Sequence, residues 1–228
     1  MPVPVEAREV FGEALSVAER YAALLATAGV ERGLVGPREA DRLWERHLLN
    51  CAVIAEIIAP KATVIDIGSG AGLPGVVLGI VRPDLSITLL EPLLRRVTFL
   101  DECVTELGLE NMTVRRARAE EVAGEVSADV VTARAVAPLD RLLGWGLPLL
   151  RPGGELLALK GERAGTELEA AEPVLRSFGI RTAELLQVGH GKVDPPTTIV
   201  RVVAERPAPR ARAPKRGGHR RGERRRKR

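Results

Sequence analysis

The sequence predicts an α/β fold, a doubly wound and mostly parallel β-sheet with helices on both sides. Short apolar runs alternate with amphipathic stretches from Ala62 onward, which is the pattern of parallel strands joined by helices. Two final apolar runs have too few residues between them for a helical crossover, so they predict a terminal antiparallel hairpin. A helical pattern precedes all of this. The length of 228 residues suits one sizeable domain with appendages.

Residues 1–60 form the predicted N-terminal helical segment. Its apolar residues recur at steps of three and four, first at Val17, Tyr21, Leu24, Leu25 and Ala28. Gly29 is predicted to stop this helix. A second helical stretch is predicted to hold one set of residues on one side: Leu43, Trp44, His47, Leu48 and Cys51.

Residues 61–205 carry the predicted sheet. Five strands are predicted, in ATVIDIGSG, LSITLLEP, MTVRRARAEEV, ADVVTARAV and GGELLALKG. Helices are predicted between most of them, with Pro74 at the start of GVVLGIV and Gly108 at the end of RRVTFLDECVTELGL. The last two strands, IRTAELLQVG and TTIVRVVAE, should pair antiparallel at one edge.

The charge of the chain is unevenly distributed. Residues 206–228 carry a net charge of +11, whereas residues 1–205 carry −7, which together give the overall +4. The basic tail has no apolar period, so it is predicted to be disordered and to reach a polyanionic partner. Aromatic residues are only 3% of the chain, which disfavours a surface of stacked rings for single-stranded nucleic acid.

Several classes of protein are disfavoured by what the sequence lacks. The amino terminus has no secretion signal pattern, and no apolar run reaches the roughly 18 residues of a membrane span. Cys51 and Cys103 form no CxxC pair, so reduced core thiols and no metal site are expected. We therefore expect a soluble, cytoplasmic, monomeric protein that binds neither membrane nor DNA.

The stretch VIDIGSGAGLPG predicts a ligand-binding loop. Gly68, Gly70 and Gly72 allow a sharp turn after a strand and a close approach of the backbone to a ligand. The spacing from Gly70 to Gly75 also satisfies the dinucleotide fingerprint GxGxxG, which alone is weak evidence. Both S-adenosylmethionine and a nicotinamide dinucleotide therefore fit the loop itself.

Three features favour S-adenosylmethionine. Asp66 lies inside the strand before the loop, where its carboxylate would repel a pyrophosphate but could bind loop amides or the cationic methionyl end. The chain is also short for a dehydrogenase with a substrate domain. The terminal hairpin fits the Rossmann-like layout of class I S-adenosylmethionine-dependent methyltransferases.

Two acids follow the next two predicted strands. Glu91 closes the second strand 19 residues after Gly72, where an acid can accept the ribose hydroxyls of an adenosyl group. Glu120, after the third strand, would neighbour the adenine by the same topology. A solvated acid at a helix start explains Glu120 nearly as well.

The motifs DIGSGAGLPG, RRVTFL, VTARAV and ALKG, with WERHLLNC before them, closely resemble the bacterial 16S rRNA guanine-N7 methyltransferases, also called glucose-inhibited division protein B. The resemblance covers about Arg42 to Arg201, with the motifs in family order. It implies methylation of a guanine in the 530 loop of 16S rRNA, with either the naked rRNA or a partly assembled small ribosomal subunit as the partner. It also implies cofactor contacts at a set of positions: Gly68, Leu73, Glu91, Pro92, Leu93, Ala119, Glu120 and Arg134.

The implied methyl transfer requires few catalytic groups from the protein. N7 of guanine has a free lone pair, so no general base is required and alignment is the main task. Arg134 ends the fourth strand and is the candidate catalytic residue, contacting O6, a phosphate or the cofactor carboxylate, with a structural ion pair as the alternative. Lys160 could contact a phosphate or be solvated, and His47 is a weaker candidate.

Other interpretations stay open from the residues alone. The basic tail could anchor RNA or only aid solubility, and a further set of arginines could face RNA or simply be solvated: Arg95, Arg96, Arg115, Arg116 and Arg118. Alternative functions are methylation of another RNA or a small molecule, a nicotinamide-dependent oxidoreductase, and a non-enzymatic RNA-binding protein. Asp66 disfavours the oxidoreductase. A non-enzymatic RNA-binding protein would leave the glycine loop and Glu91 without a function.

Overall fold

The computed structural model describes residues 2–205, and its centre is one seven-stranded sheet. The strands are β1 (Thr63–Ile67), β2 (Ser86–Leu90), β3 (Met112–Arg115), β4 (Ala128–Arg134), β5 (Leu150–Lys160), β6 (Ala183–Val188) and β7 (Thr197–Ala204). Their order across the sheet is β3-β2-β1-β4-β5-β7-β6. The first five strands are parallel, and β7 runs antiparallel to both β5 and β6. The predicted fold class, including the terminal hairpin, is confirmed.

Nine α-helices lie within the described range. They are α1 (Val5–Phe11), α2 (Leu15–Leu24), α3 (Pro37–Ala40), α4 (Leu49–Ala52), α5 (Gly75–Val81), α6 (Leu94–Leu107), α7 (Ala119–Val122), α8 (Leu139–Gly146) and α9 (Ala164–Ser177). π-Helical turns at Leu25–Gly29 and Leu43–Leu48 extend the N-terminal helices, and 3₁₀ turns lie at Gly12–Ala14, Val53–Ile57 and Leu147–Leu149. No helix between residues 2 and 205 is long and apolar enough to cross a membrane.

Alternate residues of the central strands pack into two hydrophobic clusters, one on each face of the sheet. Val64 and Val130 belong to the cluster shared with the N-terminal helices, α5 and α6, whereas Ile65 and Val131 belong to the cluster shared with α7, α8 and α9. Side chains of a strand point alternately to opposite faces, so strands covered on both sides are apolar throughout. This explains the continuous apolar runs in the sequence.

Three sequence predictions differ in detail from the structure. The helix that contains Tyr21 continues beyond Gly29 to Glu31, so the prediction that Gly29 stops it is wrong. Gly29 is buried in the packed helix, and the chain reverses instead at Gly33, whose φ is +65°. The third strand ends at Arg115, and the rest of its predicted stretch includes the short helix α7. The fifth strand begins at Leu150, before the predicted GGELLALKG.

Both cysteines lie in the described part of the chain, and the basic tail does not. Cys51 and Cys103 are free and buried, as predicted, and residues 2–205 contain no cluster of metal ligands. The predicted disordered tail, residues 206–228, lies outside the described residues.

Candidate active site

The glycine loop leaves the carboxyl end of β1 in a conformation that only glycine adopts easily. Gly68, Gly70 and Gly72 have φ angles of +63°, +59° and +98°. A Cβ atom on Gly72 would lie 2.5 Å from Cγ2 of Val76 and 2.7 Å from the hydroxyl oxygen of Tyr21. The backbone of the loop is therefore packed directly against α5 and the N-terminal helices.

Asp66 lies beneath the loop and is fully buried. Its Oδ1 accepts a 2.8 Å hydrogen bond from Thr132, and its Oδ2 accepts a 3.3 Å hydrogen bond from the backbone N–H of Gly75. Burial raises the pKa of Asp66 to about 6, although these hydrogen bonds oppose the shift. The carboxyl thus joins β4 to the start of α5. It lines none of the cavities described below, so its contact with the methionyl end stays a prediction.

Glu91 lies at the carboxyl end of β2, next to the loop, and only 1% of its surface is exposed. Its Oε2 accepts a 3.0 Å hydrogen bond from the Gly70 N–H, and its Oε1 accepts one of 3.0 Å from the Leu93 N–H. Arg96 approaches Oε2 at 3.5 Å. The carboxylate is thereby held at the edge of the sheet where ligands of such folds bind.

A cavity of about 440 Å³, called here the Glu91 cavity, opens beside this carboxylate. Its walls include Trp145 of α8 and the turn at Val136. Six of the predicted cofactor contacts line it: Gly68, Glu91, Pro92, Leu93, Ala119 and Glu120. A largely apolar wall with a buried carboxylate and a few further polar groups is typical of small-molecule sites and is compatible with an adenosine moiety.

A second cavity, of about 280 Å³ and called here the His47 cavity, lies on the other side of the loop. Four predicted contacts line it: Gly68, Gly70, Leu73 and Arg134. Its remaining wall comes from the N-terminal helical segment, which contributes Glu39 and His47. Gly68, Arg96 and Ala135 line both cavities, so the two adjoin and could together hold one elongated ligand.

Arg134 ends β4 between the sheet and the N-terminal segment. Its guanidinium donates to the carbonyl oxygen of Arg46 at 3.1 Å, to Sγ of Cys51 at 3.3 Å and to Nδ1 of His47. Three of its five N–H groups are therefore used to fasten the segment to the sheet. The simple ion pair that was the alternative to a site role is absent among residues 2–205.

His47 is held neutral by its surroundings. Its Nδ1 accepts from Arg134, and its Nε2 lies 3.1 Å from Oε2 of Glu39, to which it donates. Burial and the Arg134 charge lower the pKa of His47 to about 4, and Glu39 only partly compensates. Both ring nitrogens are engaged, so neither is free to accept a proton from a substrate.

A third cavity, of about 530 Å³ and called here the Lys160 cavity, begins at Arg134 and Ala135. Lys160 is not a solvated lysine, since its side chain is 10% exposed and its Nζ lies 2.7 Å from Oε2 of Glu167 and 2.9 Å from the Ala137 carbonyl oxygen. Ala135 lines all three cavities, and its φ of +53° is unusual for a residue with a Cβ. Strained backbone of this kind is concentrated at functional sites.

The predicted arginine surface divides into separate parts. Arg96 lines the Glu91 and His47 cavities, and Arg118 lines the Glu91 cavity. Arg115 pairs with Glu125, while Arg116 donates to the Pro92 carbonyl oxygen at 3.3 Å. Arg95 is exposed on α6. An RNA-facing role for these residues stays a prediction.

Sequence reasoning missed three residues of this region as site residues. The hydroxyl of Tyr21 donates to the Ala71 carbonyl oxygen at 2.7 Å and so supports the glycine loop. Trp145 forms a wall of the Glu91 cavity, and Ala135 joins the three cavities. Tyr21 and Trp145 look like ordinary core residues in their helical patterns, and nothing in the sequence marks the conformation of Ala135.

Comparisons with known proteins identify the family of the chain. The family model for rRNA small subunit methyltransferase G matches residues 14–193. The chain is 66% identical to ribosomal RNA small subunit methyltransferase G of Thermobifida fusca, over 86% of this chain and 83% of the relative. It is 59% identical to the protein of the same name in Streptomyces avermitilis, over 96% of each.

Solved structures of low identity share the fold. An S-adenosylmethionine-dependent O-methyltransferase from Thermotoga maritima has a TM-score of 0.51 at 14% identity, over 68% of this chain and 64% of that one. NSun6 from Pyrococcus horikoshii has a TM-score of 0.55 at 13% identity, over 71% and 52%. The chain belongs to the rRNA small subunit methyltransferase G family and is an S-adenosylmethionine-dependent methyltransferase.

Proposed function

We propose that this protein transfers a methyl group from S-adenosylmethionine to N7 of a guanine in the 530 loop of 16S rRNA, within the small ribosomal subunit. The names of its relatives and the family motifs support an rRNA substrate. The observation that carries the proposal is the meeting of three cavities at Ala135. Two of them suit the donor, and the third offers an entrance for an acceptor nucleotide.

The residues that would hold the donor divide between its two ends. The buried Glu91 carboxylate would accept the ribose hydroxyls, with Pro92, Leu93, Ala119 and Glu120 around the base. At the other end, Gly68, Gly70, Leu73 and Arg134 would surround the methionyl part. Asp66 would act from below by fixing the loop. When bound, S-adenosylmethionine supplies an electrophilic methyl group on a sulfonium.

The side chains at the junction suit an acceptor that needs no deprotonation. His47 is neutral with both nitrogens engaged, and Arg134 is a cation. Neither can act as a general base, which an oxygen acceptor or an amine would require. N7 of guanine already has its lone pair available, so alignment alone suffices. These two side chains therefore supply no base at the junction, which is consistent with N7, an acceptor that loses no proton.

Arg134 cannot read guanine in its usual way, because a hydrogen bond to N7 would block the nucleophile. Two of its N–H groups, on Nε and Nη1, have no partner among residues 2–205. They are available for the guanine O6, a phosphate or the donor's carboxylate. Its lining of both the His47 and the Lys160 cavities supports contact with donor and acceptor alike.

The test is transfer of labelled methyl to 30S subunits from cells that lack the endogenous enzyme. Mass spectrometry of the nucleosides and mapping of the site should find one 7-methylguanosine in the 530 loop. Donor binding with no transfer to 30S subunits or to 16S rRNA would contradict the proposal. Labelling of a different nucleoside would contradict the assignment of N7.

The basic tail suggests how the substrate is held. The net charge of +11 in residues 206–228 should bind phosphates through counterion release. A chain ending at Glu205 should have a higher KM for 30S subunits than the full chain, with an unchanged affinity for S-adenosylhomocysteine. The difference in KM should shrink as salt rises. A difference that is independent of salt would contradict this role for the tail.

A further inference from the structure

The Lys160 cavity is lined by a carboxylate of which only one oxygen accepts hydrogen bonds from residues 2–205. Glu167 lies in the first turn of α9, and its Oε2 accepts from Lys160 at 2.7 Å and from the Leu139 N–H at 3.1 Å. Its Oε1 receives no hydrogen bond from residues 2–205. The side chain lines the cavity and is 29% exposed. One carboxylate oxygen is thus held in place with its lone pairs available to a ligand.

Glu167 is kept ionised although it is partly buried. Burial would raise the pKa of Glu167, but the hydrogen bond and charge of Lys160 and the Leu139 N–H lower it. An ionised carboxylate accepts hydrogen bonds and donates none. The cavity therefore presents a hydrogen-bond acceptor of fixed position and fixed protonation state.

Guanine is the base that such an acceptor distinguishes. Its Watson–Crick edge carries the N1–H and the N2 amino group as adjacent donors, whereas adenine has an acceptor at N1 and no amino group at C2. N7 lies on the opposite side of the purine. Enzymes that act on an extruded base commonly read its Watson–Crick edge. A guanine with N7 at Ala135 and its other edge deeper in the cavity would direct both donors toward Glu167.

We propose that Glu167 determines guanine specificity by accepting hydrogen bonds from N1–H and the N2 amino group, and that Lys160 positions it. This inference rests on the proposed function, since it assumes that the acceptor base enters the Lys160 cavity. A base without these donors would leave a charged acceptor unpaired in a confined site, which is the condition for strong discrimination. Glu167 contacts the substrate in this proposal, and Lys160 acts through Glu167.

The experiment compares guanosine with inosine at the target position of 16S rRNA reconstituted into 30S subunits. Inosine retains N7 and N1–H and lacks only the N2 amino group. A hydrogen bond to a charged acceptor predicts a guanosine preference in kcat/KM of about 10- to 100-fold for the wild-type enzyme. Equal rates on the two substrates would overturn the proposal without any variant.

The variant Glu167→Gln supplies the second arm. Gln has the same shape and retains an oxygen for Lys160 and the Leu139 N–H, but it places an NH₂ donor where Oε1 would face the two donors of guanine. The guanosine rate should fall and the guanosine-to-inosine ratio should collapse to within about 3-fold, because the interaction with the amino group is lost. Glu167→Asp keeps the negative charge, but its shorter side chain holds the carboxylate farther from the base. It should therefore also reduce the guanosine-to-inosine ratio. An unchanged ratio in both variants would overturn the proposal.

Two controls separate this inference from other failures. Glu172→Gln changes an exposed residue of the same helix that pairs with Arg176, so its ratio should equal that of the wild type. Affinity for S-adenosylhomocysteine should be equal in all four proteins, which verifies folding of the donor site. Any effect of inosine on subunit assembly is common to every enzyme and cancels between ratios. Absence of transfer to guanosine by the wild type would overturn the proposed function itself.

Discussion

Tyr21→Phe tests whether the N-terminal segment supports the glycine loop. Tyr21 is the only tyrosine of the chain and is fully buried, and its hydroxyl donates to the Ala71 carbonyl oxygen at 2.7 Å. Burial raises the pKa of Tyr21 well above its usual 10, so the hydroxyl stays a donor at any working pH. The substitution keeps the ring and removes only this donor. It therefore isolates one hydrogen bond between two parts of the fold.

The expected cost follows from the partner that remains. The Ala71 carbonyl would be left buried without its donor, which costs about 1–3 kcal/mol. A protein of this size should lose about 2–4 °C in Tm for each kcal/mol. The loss of cofactor binding energy cannot exceed the energy of this one hydrogen bond. The Kd for S-adenosylhomocysteine should therefore rise by at most about 5- to 150-fold.

Urea unfolding with and without S-adenosylhomocysteine, together with calorimetric titration, measures both quantities. Trp44→Phe is the matched control, because Trp44 is a buried aromatic of the same segment that packs on Phe11 and lines none of the three cavities. It should lower stability and leave cofactor affinity unchanged. A Tyr21→Phe protein with wild-type affinity and a normal urea midpoint would refute the claim that this hydroxyl supports the loop.

Two further predictions concern groups around the same loop. For Asp66, the native pKa of about 6 lies above the unfolded value of 3.8, so its ionisation opposes folding and stability from this group falls as pH rises from about 4 to 6. The free-energy difference between wild type and Asp66→Asn should therefore change by about 3 kcal/mol over that window, measured by urea unfolding at each pH. The difference is needed because His47 titrates with the opposite sign in the same window; a flat difference would contradict the shift. For Arg134→Lys, one ammonium on a shorter stem cannot reach all three partners of the guanidinium, so both stability and cofactor affinity should fall although the charge is retained. Unchanged thermal unfolding and cofactor titration would show that the three hydrogen bonds are dispensable.

The sequence predicted those parts of the site that follow from local pattern. Apolar runs that end in glycine or an acid identify strand ends, and the carboxyl ends of parallel strands meet at one edge of a sheet. That reasoning brings Gly68, Glu91 and Arg134 to one edge, and the structure places all three there. Local pattern was sufficient because each of these residues ends its strand or directly follows it.

Residues whose role depends on packing between distant segments could not be predicted. Tyr21 meets Ala71 across 50 residues, and no periodicity in either segment encodes that contact. Glu167 appears as an ordinary helix acid until its pairing with Lys160 and its place in the cavity are known. Gly29 was misread for a related reason: a helix stops where its backbone turns, and tertiary packing placed that turn at Gly33.

The change of pattern at Lys61 divides the sequence but not the site. Residues before it contribute Glu39 and His47 to the His47 cavity, and they share one hydrophobic cluster with β1 and α5. Arg134, at the end of β4, donates three hydrogen bonds to atoms of this segment and lines both the His47 and the Lys160 cavities. A sheet domain without the segment would expose these donors and lack one wall of the cavity. If the donor binds in this cavity as proposed, the helices before the sheet form part of its site, and their removal should abolish binding of S-adenosylhomocysteine.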